Sequence, residues 1–347
     1  MNEVKMQSKE KKIRFAVVGY GHIGRRHAEM ILRNPEAELV AICDILPADK
    51  VNADRNIPFF SNLHDLLKAG IEIDVLTICT PNGLHASMAL MGLRSGLHVV
   101  VEKPMTLQRS EAEEILNIAR EKKRCVFCVM QNRYSPPSLW IKEMVESGRL
   151  GKLFLIKIDC FWNRDARYYV KDGWHGTKEL DGGTLFTQFS HFIDIMYWLF
   201  GDIDDINASF ANFNHKELIE FEDSGIISFK FQKGGMGVFN YSTSVRERNF
   251  ESSMTIIAEK GTIKIGGQYM NEVEYCEVED YVFSDLPPTN PGNDYGSYKG
   301  SAQNHHYVIE NVIRVLNGEA EISVNPEDGM KVVDIIERIY ALKKKEE

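Results

Sequence analysis

Residues 13 to 19, IRFAVVG, make a short β-branched apolar run that closes on glycine, and from Ile23 to Leu32 the apolar residues recur at helical spacing. This predicts a strand, a turn and a helix. The alternation then repeats. AELVAICD (37–44) precedes a helical SNLHDLLKAG, IDVLTICT (73–80) precedes a helix from about Leu84 to Arg94, and LHVVVEK (97–103) precedes one from about Ser110 to Glu121, before CVFCVMQ. Strands alternating with helices of about ten residues predict βαβ units, hence a doubly wound parallel sheet of Rossmann type over residues 1–130.

The pattern changes after Pro136 and Pro137. Longer segments of alternating character follow from about 152, among them KLFLIKIDCFW, GIISFKF, GMGVFNYS and SMTIIAEKGTIKI. They predict a second, α+β domain over 131–347, built on a large open and mostly antiparallel sheet. Helices are expected at 188–200, at 302–317 and from Asp328 to Lys344, the last packing back on the first domain. Residues 284–301, rich in Pro, Gly, Asn and Ser, read as a long functional loop, either a substrate lid or a subunit contact.

The length of 347 residues supports two domains, since single cores stop growing near ~250 to 300 residues. A formal charge of -9 argues against nucleic acid or anionic membrane as a partner. A few arginines can still set the local sign in a cleft, because the Debye length is ~8 Å. The first twelve residues are polar and no later apolar run has the length of a membrane span, so a cytoplasmic protein is expected. Cys125 and Cys128 form a C-x-x-C inside an apparent buried strand, where residues three apart face opposite ways. No second Cys/His pair follows at zinc spacing, so no metal site is expected.

Gly19-Tyr20-Gly21-His22-Ile23-Gly24 has the G-x-G-x-x-G spacing between a predicted strand and a predicted helix. Gly19 suits a tight turn, Gly21 a close approach of pyrophosphate, and Gly24 the packing of helix on strand, with His22 and Ile23 on the same loop. Asp44 follows Gly24 by twenty residues at the end of the next predicted strand, where a carboxylate accepts from a ribose 2′-hydroxyl and repels a 2′-phosphate. The expected cofactor is therefore NAD. Thr80, Pro81 and Asn82 end the next strand, and His85 opens the helix after it; the alternative for His85 is a polar surface or capping residue. Glu102 and Lys103, in Glu102-Lys103-Pro104, and Gln131, closing CVFCVMQ, join the cofactor set from further strand ends.

The series G-x-G-x-x-G, T-P-N-x-x-H, E-K-P and D-G-G-x(7)-H, which runs through the whole chain, resembles the glucose-fructose oxidoreductase and inositol dehydrogenase family. The resemblance implies that Lys103 touches the reacting hydroxyl and that His191 is the acid/base, in a Rossmann domain joined to an open-sheet domain that mediates tetramer formation. FWNRDARYYVKDGWHGTKELDGG, SHFIDIMYWLFG, QNR (131–133) and AEKGTIKIGG (258–267) are similar to the bacterial UDP-N-acetylglucosaminuronate 3-dehydrogenases of surface-polysaccharide synthesis. By that likeness the substrate is a UDP-linked N-acetylated sugar acid, oxidised at its 3-hydroxyl. Histidine, with an unperturbed pKa near ~6.5, suits removal of an alcohol proton independently of any family.

Arg164, Arg167, Tyr168, Tyr169 and Trp174 lie between a strand and the D-G-G turn, where arginine forks match phosphate or carboxylate and aromatic faces stack on a base or sugar. An ordinary solvated loop is the competing account, given Asp165 and Asp172 beside them. Gln188 by its motif position and His305 by resemblance are further substrate candidates. One departure stands out: Thr187 occupies the place where related enzymes carry Asp or Asn, and Asp194 on the same helix is a candidate replacement. A dehydrogenase of a free sugar or inositol, and a non-catalytic NAD-sensing protein, remain alternatives.

Overall fold

The computed structural model describes residues 12–296 and 298–343. The polar opening segment up to residue 11 and the expected helix end at Lys344 lie outside the described residues.

Short buried runs form the first sheet. Its elements are β1 (Ile13–Val18), α1 (His22–Arg33), β2 (Ala37–Cys43), β3 (Phe59–Phe60), α2 (Leu63–Lys68), β4 (Val75–Ile78), α3 (His85–Arg94), β5 (His98–Val101), α4 (Arg109–Lys122) and β6 (Val126–Cys128). All its pairings are parallel, in the order β3-β2-β1-β4-β5-β6. The order reverses between β1 and β4, and a crevice at that switch point is where open α/β sheets bind ligands.

A helix α5 (Pro136–Glu146) leads to β7 (Leu153–Phe161), followed by α6 (Thr184–Thr187), α7 (Ser190–Phe200), β8 (Ile203–Ala211), β9 (Ser224–Phe231), β10 (Met236–Ser242), β11 (Glu251–Ala258), β12 (Gly261–Gly266) and β13 (Glu272–Val278). The second sheet runs β13-β12-β11-β7-β10-β9-β8. It is antiparallel except where β7 and β10 pair parallel at its centre, a direction that alternation of side chains does not encode.

Three expectations need correction. The Pro- and Gly-rich stretch is no structureless loop: β14 (Gly292–Asp294) and β15 (Lys299–Ala302) pair as a hairpin. That pairing delays the next helix, α8 (His305–Leu316), which had been expected from 302. The helix expected at 188–200 is α7, which starts two residues later at Ser190, and a short helix that the pattern did not predict, α6, precedes it just after Gly182 and Gly183 turn the chain at positive φ.

Two large apolar cores hold the fold, with a small third cluster of Tyr168, Tyr169, Ile219 and Phe221 beside them. One packs α1 and α8 on a face of the first sheet, through Phe15, Val17, Ile31, Val308 and Ile313. The other covers the opposite face and continues into the second sheet through α9 (Pro326–Tyr340), which packs on both α4 and α7. The two thiols of the C-x-x-C lie in different cores, Cys125 in the first and Cys128 in the second, as side chains three apart on a strand must.

Candidate active site

At the switch point a cavity of about 560 Å³ opens between the sheets. One wall is made by the first sheet. Gly19 has φ +83, and a Cβ there would meet the Cys79 carbonyl carbon at 2.6 Å. A Cβ on Gly24 would lie 1.9 Å from the Gly19 oxygen, so glycine is what lets α1 sit on the turn. Gly21 differs: a Cβ there meets nothing, because the position faces the cavity. No side chain caps the start of α1, which leaves its first N–H groups for an anion. Asp44 accepts from Tyr20 N at 2.6 Å and Leu46 N at 2.8 Å, which fixes its carboxylate at the cavity edge beside His22 and Ile23.

Thr80, Pro81, Asn82, His85, Glu102, Lys103 and Gln131 continue this wall. Two of them are turned to other work. Asn82 donates to Asp181 O at 2.8 Å and to Thr187 Oγ1 at 2.6 Å, tying the first sheet's loop to the second half of the chain. His85 is buried, not a surface residue, and its nitrogens face Pro104 O at 2.7 Å and Thr80 O at 2.9 Å, bracing the T-P-N loop against the E-K-P.

Lys103 and His191 both line the cavity. Lys103 Nζ donates to Thr187 O at 2.6 Å. Burial lowers its pKa, against the pull of Glu102 and Asp181. The Gln131 side-chain amide lies 3.1 Å from His191 Nε2, and an N–H donated there leaves that imidazole nitrogen as the acceptor. Burial, then the Lys103 charge, holds the His191 pKa well below the ordinary histidine value. The arrangement is a neutral base beside a buried cation.

The opposite wall carries Arg164, Tyr168, Trp174, Thr187 and Gln188, while His305, at the start of α8 beside Glu102, lines the cavity from the side of the first sheet. Arg164 is only 3% exposed and lies 4.8 to 5.1 Å from the ring centres of Trp162, Tyr168 and Tyr298. Among the described residues its hydrogen-bond acceptors are neutral oxygens: Asn163 O at 2.6 Å, Asn249 Oδ1 at 3.2 Å and Lys299 O at 3.1 Å. Its Nε has no partner. Burying a cation without a counter-ion costs several kcal/mol, so such a group points to an anionic ligand.

The other candidates fall elsewhere. Arg167 folds onto Asp165 at the surface, and Tyr169 is buried with Ile219 and Phe221. Asp194 does not serve His191; it holds Arg133 at 2.9 and 2.6 Å in a buried pair. The carboxylate that reaches Thr187 is Asp181 of the D-G-G, which accepts from the Thr187 hydroxyl and from Gly176 N. His175, between Trp174 and Tyr168 with its Nδ1 3.8 Å from Asp181, also lines the cavity.

Residues 13–130 match the NAD-binding Rossmann fold of the GFO/IDH/MocA oxidoreductase family, and residues 139–264 match its C-terminal domain. The WlbA dehydrogenase from Bordetella pertussis, solved with NADH and UDP-GlcNAcA, is 31% identical with a TM-score of 0.82, over 96% of each chain. The Chromobacterium violaceum WlbA enzyme, solved with the same two ligands, is 29% identical with a TM-score of 0.83, over 96% of this chain and 94% of that one. An inositol 2-dehydrogenase of Rhizobium meliloti is 24% identical, over 92% of this chain and 93% of its own length. This chain is a member of the GFO/IDH/MocA oxidoreductase family.

The residues present fit the family's cofactor. The open face of Gly21, the uncapped start of α1 and the fixed Asp44 carboxylate are the features a dinucleotide needs. The protein is an NAD-dependent oxidoreductase. No helix among the described residues is long and apolar enough to cross a membrane. The sequence reading missed Asp181, His175, Tyr295 and Tyr298 as parts of this GFO/IDH/MocA site. Asp181 carried a signal, as the acid of the D-G-G; the two tyrosines carried none beyond a loop rich in turn residues.

Proposed function

We propose that this oxidoreductase oxidises the 3-hydroxyl of a UDP-linked N-acetylated sugar acid, UDP-N-acetylglucosaminuronate, to the 3-keto sugar. The observation that carries the reading is Arg164, a buried cation with neutral partners, stacked among aromatic rings on the cavity wall. A free sugar or inositol offers it no counter-charge, whereas a uronate or diphosphate does. Likeness to the two WlbA enzymes, both solved with UDP-GlcNAcA, supports the same choice.

His191, neutral at its Nε2, takes the proton of the hydroxyl. Lys103 donates to the oxygen as negative charge gathers there. NAD, when bound, supplies the hydride acceptor, and Gly19, Gly21, His22, Ile23, Asp44 and Thr80 would hold it. Thr187 positions Lys103 through its carbonyl, and Asn82 and Asp181 fix Thr187 in turn. Gln188, held by the Tyr168 hydroxyl at 3.0 Å and with a free buried Oε1, is placed to meet a substrate hydroxyl.

The test is the absorbance of NADH on mixing enzyme and NAD with UDP-N-acetylglucosaminuronate, UDP-N-acetylglucosamine or myo-inositol. Turnover with the first and little with the others is expected. Turnover with inositol and none with the uronate overturns the substrate assignment.

A further inference from the structure

Where β5 leaves the sheet, Glu102 and Lys103 follow one another, and their side chains leave in different directions as consecutive residues of extended chain do. Lys103 reaches Thr187 O in the second half of the chain. Glu102 turns back toward α1, where His27 Nε2 lies 2.8 Å from Oε1, and toward α8, where His305 Nε2 lies 3.6 Å from the same oxygen. Its other oxygen accepts the Lys103 backbone N–H at 3.1 Å. All three side chains are buried, and Glu102 and His305 reach the cavity. The His27 Nδ1 and both His305 nitrogens have no partner.

Among the described residues, no arginine or lysine side chain is salt-bridged to Glu102, and the groups facing its carboxylate are these two imidazoles. Burial pushes its pKa up, but the hydrogen bond from His27, with the Lys103 cation nearby, outweighs it and brings the value down to about 2. Burial likewise carries His305 down to about 3, so this imidazole is neutral and leaves the carboxylate charge standing. A permanent negative charge therefore sits on the floor of the dinucleotide cavity, one residue from the lysine at the proposed reacting centre.

We propose that Glu102, held in place by His27 and the Lys103 backbone N–H, is the counter-charge for the oxidised nicotinamide, and that it shifts the affinity of the site from the reduced toward the oxidised cofactor. The nicotinamide ring is cationic only when oxidised, and a charge pair in a site shielded from water is worth far more than in bulk water. Once reduction has removed that charge, the carboxylate no longer contributes to holding the ring, which eases exchange of the reduced cofactor. Adjacent residues thereby serve opposite charges, Glu102 the ring and Lys103 the substrate oxygen. The inference concerns the cofactor alone, so it can fail without touching the substrate assignment.

The experiment is equilibrium titration of the purified full-length protein, without sugar, with NAD and with NADH separately, for wild type and Glu102→Gln. The ratio of NAD affinity to NADH affinity is expected to fall at least about tenfold in the variant, equivalent to ~1.4 kcal/mol. Glu102→Asp, which keeps the charge, should recover most of it. If Glu102→Gln does not fold, His27→Leu reads the same ratio, since it removes the hydrogen bond that keeps the carboxylate ionised. Equal weakening of both cofactor forms would show a merely structural role and overturn the proposal. So would a stoichiometric divalent metal in the purified protein, because the ligand atoms of His27, Glu102 and His305 lie within 4.8 Å of one another and an ion there would cancel the charge.

Discussion

The wall of the cavity formed by the first sheet meets its ligand largely with backbone: the Gly19–Gly24 turn, the uncapped start of α1 and strand ends, with Asp44 as the fixed carboxylate. The facing wall meets its ligand with side chains, a buried arginine among tyrosine and tryptophan rings, and His191 behind them. A dinucleotide is the same molecule for every enzyme that uses it, and a backbone cradle suits it. A substrate differs from enzyme to enzyme, and side chains can be exchanged without refolding the sheet beneath them.

The contrast is strongest where the walls meet, at Lys103 from one and His191 from the other. Lys103→Met and His191→Asn should each cut turnover at least about a hundredfold while NAD affinity stays within a few-fold. Steady-state rates and cofactor titration check this, and full turnover in either variant would remove that residue from the catalytic pair. On the backbone wall, Gly21→Val should leave the melting temperature unchanged but weaken NAD about tenfold or more, since its side chain enters space meant for ligand. Gly24→Ala should do the reverse first, destabilising the fold by ~1 to 3 kcal/mol because its Cβ strikes the Gly19 carbonyl.

On the side-chain wall, Arg164→Met should raise KM for an anionic sugar about tenfold with little change in kcat. It should not lower the melting temperature of the free protein, because a buried cation without a counter-ion is replaced by a side chain that needs none. A large loss of stability would mean that Arg164 is a structural brace. The smallest expected effect is in the pH profile. His191 acts as the unprotonated base and its pKa is held low, so activity should be lost only as pH falls well below the ordinary ~6.5. Lys103 acts as the cation and burial lowers its pKa, so the alkaline loss should begin below the ordinary ~10.4. An acid limb above ~6.5 in kcat/KM would remove His191 from the role of base.

The backbone wall was also the easier one to read from sequence. Glycine spacing reports backbone geometry directly, because at Gly19 and Gly24 no other residue fits, and Asp44 follows at a distance set by one helix and one strand. The side-chain wall depends on contacts across long stretches of chain. Asp181 reaches Thr187 and so supplies the carboxylate that Asp194, fastened to Arg133, does not. Tyr298 joins Arg164 only because β14 and β15 fold a segment without periodicity over the cavity. His27 was invisible beside the glycine motif, since nothing local marks a histidine that meets Glu102 from the next layer.

Periodicity and punctuation along the chain were enough to determine two sheets of different kind and the cofactor turn, since each follows from backbone preferences and short spacings, whereas the lysine and histidine of the site entered only through a resemblance. Which charges stand alone, which are answered, and which groups share the cavity were decided by tertiary structure. Burial and distance between remote residues set those electrostatic balances, and neither quantity is a property of any one segment.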